Sequence, residues 1–244
     1  MKRSIIILCL LLSEAALAGA GHAQESDVKT LDPALVPLEA ARPEEFTPRG
    51  WKVHSRAAGD LDGDGRPDLA LLLLDQSAEN AQRSVENPRP ALLILLATPQ
   101  GRWRRAGLNT HLIVSDGSYF APLQLEIVRG VVVLRQELQS DISANTNDYA
   151  TTDSFRYDLA SGRFLLIGEE NANTHRDAAA DGIRVSDNYL TGERLITVLH
   201  AARGKYVREM NARRRINPRR VFLEDAEGQE IDFDSLMDEV SRRR

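Results

Sequence analysis

Three times in this chain a short run of β-branched or aromatic residues enters a glycine turn and is answered by a second such run, a pattern few folds can satisfy. Leu123, Leu125 and Ile127 alternate with Gln124 and Glu126, and Arg129-Gly130 turns the chain into Val131 to Leu134. Phe155-Arg156-Tyr157 meets Phe164 to Ile167 across Ala160-Ser161-Gly162, and Val185 to Tyr189 meets Leu195 to Leu199 across Thr191-Gly192. Consecutive hairpins imply antiparallel pairing of neighbours in sequence. Strands also fit Trp51 to Arg56, Leu69 to Leu74 and Ala91 to Ala97, while helical periodicity is confined to Ser77 to Arg83 and Asp234 to Arg243. The expected fold is mainly β, an antiparallel β-meander or a partial propeller-like sheet with few short helices.

The organisation around this β domain follows from composition. Residues 1–23 have the zones of a secretory signal: basic Lys2 and Arg3, apolar Ile5 to Leu12, and small residues ending at Ala20 or Ala23. A periplasmic or secreted product is expected. The apolar core is too short to span a bilayer, and Leu92 to Leu96 sits between Pro90 and Pro99, so buried strands and no membrane span are expected. The single cysteine, Cys9, lies inside the signal and leaves with it. Ile6-Ile7-Leu8 before it lacks the small residue a lipid anchor needs. Disulfides, thiolate metal sites and cysteine catalysis are thereby excluded from the expected mature chain. Removal of Lys2, Arg3 and Glu14 with the signal takes the net charge from −5 to −6, which offers no general attraction to nucleic acid. Residues 24–49, with Pro33, Pro37, Pro43 and Pro48, suit an extended lead-in to a β domain over 50–210. Residues 211–244 form a charged extension in which Arg213, Arg214, Arg215, Arg219 and Arg220 precede Glu224, Asp225, Glu227, Glu230, Asp232 and Asp234. That pattern fits a salt-bridged solvated tail or a partner-binding arm.

The strongest chemical signal is Gly59-Asp60-Leu61-Asp62-Gly63-Asp64-Gly65-Arg66-Pro67-Asp68-Leu69. Carboxylates stand at positions one, three, five and nine of one short loop. Calcium takes six to eight hard oxygens in flexible geometry, and alternate residues of a tight turn can point inward to supply them. Gly63 and Gly65 permit the positive φ that such wrapping needs. The expected ligands of one Ca²⁺ ion are therefore Asp60, Asp62, Asp64 and Asp68, with Arg66 contributing its backbone carbonyl. An EF-hand would require an acid at its twelfth position, where this chain has Leu71 inside an apolar run. The competing structural reading is a plain Asp/Gly turn.

Asp60-Leu61-Asp62-Gly63-Asp64-Gly65-Arg66-Pro67-Asp68-Leu69-Ala70 resembles the calcium loop and following strand of FG-GAP or VCBS repeats, found in integrin α-chain propellers and many bacterial secreted proteins. The resemblance implies Asp60, Asp62, Asp64 and Asp68 as side-chain ligands. Propellers repeat the unit several times, whereas this chain has one copy. Ser154-Phe155-Arg156-Tyr157, Arg163 to Gly168, Asn188 to Gly192 and Val221 to Asp225 are in turn similar to segments of uncharacterised exported bacterial proteins with a single such loop. That likeness spans roughly residues 50 to 225; it implies a fold and no activity.

Signals for catalysis are sparse. His54, His111, His175 and His200 form no close metal pair, and Ser115 and Ser118 around Asp116-Gly117 stand in no nucleophile elbow. Asp141, Asn145, Asn147, Asp148 and Asp153 around Tyr149 suit a sugar or second-cation site, or a hairpin loop. Trp51, Trp103, Tyr119, Phe120 and Tyr149 are candidates for a recognition surface or for the core. The expectation is a non-catalytic calcium-binding module with an envelope protein or polysaccharide partner. The alternative is a hydrolase of an envelope polymer using acids of the 141–153 stretch.

Overall fold

The computed structural model of the protein describes residues 30–76, 90–113, 123–139, 147–175, 178–228 and 231–242. They form two antiparallel sheets and one helix. The five-stranded sheet contains β1 (Glu39–Ala40), β2 (Trp51–Gly59), β3 (Asp68–Asp75), β4 (Ala91–Ala97) and β5 (Trp103–Asn109), in the order β1-β5-β4-β3-β2. The seven-stranded sheet runs in strict sequence order through β6 (Leu123–Val128), β7 (Val131–Gln139), β8 (Asn147–Asp158), β9 (Arg163–His175), β10 (Gly182–Asn188), β11 (Glu193–Ala202) and β12 (Lys205–Arg215). Helix α1 (Phe233–Ser241) follows, started by Asp232, whose carboxylate accepts the Ser235 N–H. The meander reading of the three hairpins therefore holds, as do the strands expected near residues 51, 69 and 91. The helix expected at Ser77 to Arg83 lies outside the described residues.

Why β3 and β4 read as unbroken apolar runs is answered by what covers them. Every residue of β3 is buried, because both faces of the five-stranded sheet are covered. Ala70, Leu72, Leu92, Ile94 and Leu96 meet Leu125, Val132, Leu134, Phe155 and Leu166 of the other sheet. Leu69, Leu71, Leu73, Leu93 and Leu95 meet Leu31, Val36, Ala40, Phe46 and Trp51. The proline-rich lead-in thus packs as a cover, with 3-10 turns at Pro33–Leu35 and Pro43–Phe46 and strand β1 paired to β5. Its few apolar residues are too widely spaced to show periodicity, yet Phe46 is wholly buried. At the far end, the charged C-terminal stretch begins inside β12, and Val240, Phe233, Leu236 and Met237 of the helix side pack on Ile183, Val185, Ile196 and Val198. Many of its charges are paired, as in Arg214 with Glu239 at 2.6 Å and Arg220 with Asp158 at 2.7 Å.

The β6–β7 turn has positive φ at both central residues, Arg129 at 52° and Gly130 at 76°, the type I′ geometry that matches strand twist. Arginine in that region is strained and asparagine is not. Arg129→Asn should therefore raise the melting midpoint by about 1–3 °C in a calorimetric scan, a gain of under about 1 kcal/mol.

Candidate metal centre

The loop between β2 and β3 is shaped by its own aspartates. Asp60 accepts the N–H of Gly63 at 2.8 Å through Oδ1 and that of Gly65 at 2.9 Å through Oδ2. Asp62 accepts from the Asp64 N–H at 3.2 Å, and Asp64 from the Arg66 N–H at 2.8 Å. These are short-range side-chain-to-backbone turns of the kind aspartate favours. Gly63 and Gly65 have φ of 82° and 83° with open space around them, so backbone conformation and not crowding calls for glycine there.

Asp68 closes the loop from below. It is wholly buried, and its two oxygens accept the N–H of Leu61 and of Ala97, each at 2.8 Å. One carboxylate therefore ties the start of the loop to the end of β4. Burial raises the Asp68 pKa and the nearby Asp60 and Asp62 raise it further, while the two backbone N–H groups oppose the rise. Leu61 is buried in the main core and anchors the loop. The loop abuts the β6–β7 turn, where a Cβ at Gly130 would stand 3.4 Å from the Asp60 carbonyl oxygen.

Asp60, Asp62 and Asp68 each present an oxygen, all within 4.8 Å of one another, a group able to hold a metal ion. Three acids converging on so small a space repel one another, and a cation between them removes that repulsion. Hard carboxylate oxygens suit a hard cation. Asp64, expected as a fourth ligand, is instead in contact with the Arg66 guanidinium, whose Nε also donates to the Ala97 carbonyl at 3.3 Å. That exposed pair contributes little, so Asp64→Ala should shift the melting curve in chelator by less than about 1 kcal/mol, read by circular dichroism.

Asp141, Asn145, Ser115, Ser118, Tyr119 and Phe120 lie outside the described residues. Asn147, Asp148, Tyr149 and Asp153 belong to β8, which reaches further toward the N-terminus than hairpin chemistry suggested. Strand alternation sends Asp148 and Asp153 to opposite faces of the sheet. His200 holds Asp181 at 2.7 Å, and Asp181 also accepts the Ala201 N–H at 2.8 Å, an arrangement that fastens the start of β10 to β11. His54, His111 and His175 join no metal-holding group among the described residues. Trp51 is in the core, and Trp103 packs half-buried against it.

What sequence reasoning missed is a band of buried polar residues on the seven-stranded sheet. Arg194 grips Asp187 through two bonds of 2.7 and 2.6 Å, and that pairing holds the guanidinium pKa above its ordinary value. Tyr189 donates to Glu169 at 2.7 Å, and burial first, then that bond, pushes the phenol pKa upward. Alternation of these residues with Val185, Ile196 and their neighbours was the available signal, but short side chains of either polarity satisfy it.

No family model matches this chain, and comparisons with curated proteins and with solved structures gave no match. Among the described residues no helix is long and apolar enough to cross a membrane.

Proposed function

We propose that the protein is an exported, non-catalytic β module of the bacterial envelope whose loop at 60–68 is stiffened by one Ca²⁺ ion. The observation that carries this reading is the position of Asp68, which belongs at once to the acidic triad and to the backbone bonds joining Leu61 and Ala97. An ion at the triad would thereby reinforce two strand connections. Asp60, Asp62, Asp64 and Asp68 would ligate through side chains and Arg66 through its carbonyl, in line with the resemblance to FG-GAP and VCBS loops. Calcium is favoured over magnesium because a wrapped backbone loop with flexible oxygens suits six to eight ligands better than a rigid octahedron. When bound, the ion supplies charge neutralisation and rigidity; a site filled by carboxylates has few open positions for a substrate.

The hydrolase alternative has less support, since Asp148 and Asp153 face opposite ways and among the described residues no histidine joins a metal-holding group. The test is capture: mature protein immobilised with calcium should retain an envelope protein or polysaccharide that chelator releases, while a panel of envelope-polymer hydrolysis assays stays blank. Turnover that survives repurification and vanishes in Asp153→Asn would reverse the assignment.

A further inference from the structure

One row across the seven-stranded sheet carries an unbalanced charge. Leu134 of β7 stands opposite Asp153 of β8, Asp153 opposite Glu169 of β9, Glu169 opposite Asp187 of β10, and Asp187 opposite Arg194 of β11. Directly opposed residues share a face with Cβ atoms about 5 Å apart. Asp153, Glu169 and Asp187 are only 7%, 4% and 4% exposed.

The single guanidinium in this row as far as β11 is spent on Asp187, and the next, Arg214 of β12, on Glu239. Glu169 accepts the Tyr189 hydroxyl and, at 3.1 Å, the Asn171 side-chain N–H. For Asp153 burial and the charge of Glu169 both act against ionisation. Its neighbours on this face are apolar Leu134 and neutral Gln136 of β7, Thr151 of its own strand, and Glu169 and Asn171 of β9. Among the described residues a further charge on this side is Arg219 on the segment after β12, which lies over the Tyr189 ring at 5.5 Å. Arg194, although bonded to Asp187, also acts electrostatically on Glu169, whereas the charge acting on Asp153 is that of Glu169 itself, so ionising Asp153 beside it in a buried site is costly.

We propose that Asp153 is protonated at neutral pH beside the buried Glu169, and that loss of this proton in alkaline medium loosens the pairing of β8 with β9. The seven-stranded sheet is then the pH-sensitive element of the fold. Burial first and Glu169 second push the Asp153 carboxyl up to about 8. An acid whose pKa is raised on folding imposes no penalty below its unfolded value, near 4. The fold then loses stability as pH climbs toward the folded value, and the loss levels off above it.

Thermal melts of the full mature chain at fixed saturating calcium, from pH 5 to 9, test this against Asp153→Asn. The variant should gain on wild type as pH rises, the gap in midpoint widening by several degrees and flattening above about pH 8. A gap independent of pH would mean a purely steric effect and would overturn the proposal. Carboxyl ¹³C NMR of wild type gives a second reading that needs no folded variant. An Asp153 signal titrating well above the ordinary carboxylate range, and moving toward acid in Glu169→Gln, supports the proposal. A signal titrating near pH 4 excludes it.

Discussion

Asp68→Ala should lower the melting midpoint of the protein by about 6–12 °C in the presence of chelator, a loss of about 3 kcal/mol. The substitution strands the N–H groups of Leu61 and Ala97, both bonded at 2.8 Å to the carboxylate, and each unpaired buried donor costs about 1–3 kcal/mol. Relief of a buried charge beside Asp60 and Asp62 offsets part of that loss, which keeps the expectation near the middle of the range. Asp68→Asn should recover part of the stability, because its amide oxygen can still accept one of the two bonds while its charge is gone. Melting within about 2 °C of wild type for Asp68→Ala would show that the β2–β3 connection does not depend on this side chain.

Calcium should act on the same connection from the other side. A ligand that binds the folded loop and not the unfolded chain stabilises by about 2.7 kcal/mol at a hundred times its dissociation constant, a rise in midpoint of about 5–10 °C. Extracellular loops of this kind bind at about 10⁻⁴ to 10⁻³ M, so millimolar calcium is the range to scan by differential scanning calorimetry. The rise should vanish in Asp68→Ala and in Asp60→Ala, since both remove charge from the triad. Asp64→Ala is the discriminating case: its midpoint in chelator stays near wild type, whereas its calcium affinity falls by about tenfold if that carboxylate leaves Arg66 to join the ion. A midpoint indifferent to calcium in wild type would mean that the loop is held by the hydrogen bonds of its own aspartates alone.

Much of this arrangement was legible in the sequence, for physical reasons that differ by element. The hairpins at 129–130, 160–162 and 191–192 were visible because alternation and turn glycines point the same way. The β11–β12 hairpin was not seen although Arg203-Gly204 repeats the Arg129-Gly130 dipeptide and adopts the same positive φ, 53° and 70°. Its strand β12 is charged and mostly exposed, so no apolar alternation announced it. β5 escaped because Arg104 and Arg105 sit inside it; Arg105 spends its guanidinium on the Pro33 and Val36 carbonyls, both at 2.8 Å. In the loop, the positions of Asp60, Asp62 and Asp68 followed from ligand spacing, and the triad contains all three. The Arg66 contact with Asp64 is not legible in the sequence, because the direction of a side chain in this loop depends on the turn conformation set by Gly63 and Gly65 and not on residue spacing. The acidic row through Asp153 and Glu169 was hidden for a deeper reason. Cross-strand register, shifted by the irregularity between Ser154 and Phe155, decides which residues stand opposite, and register is not a local property of sequence.

Isothermal titration of calcium into the purified protein is the most direct test of the account. It predicts a saturable heat with a stoichiometry of about one ion per chain, weakened by tenfold or more in Asp60→Asn and Asp62→Asn, with magnesium giving a weaker isotherm. No calcium-dependent heat at millimolar concentrations, or isotherms from the two variants that superimpose on wild type, would contradict it and leave the loop as an aspartate-braced turn.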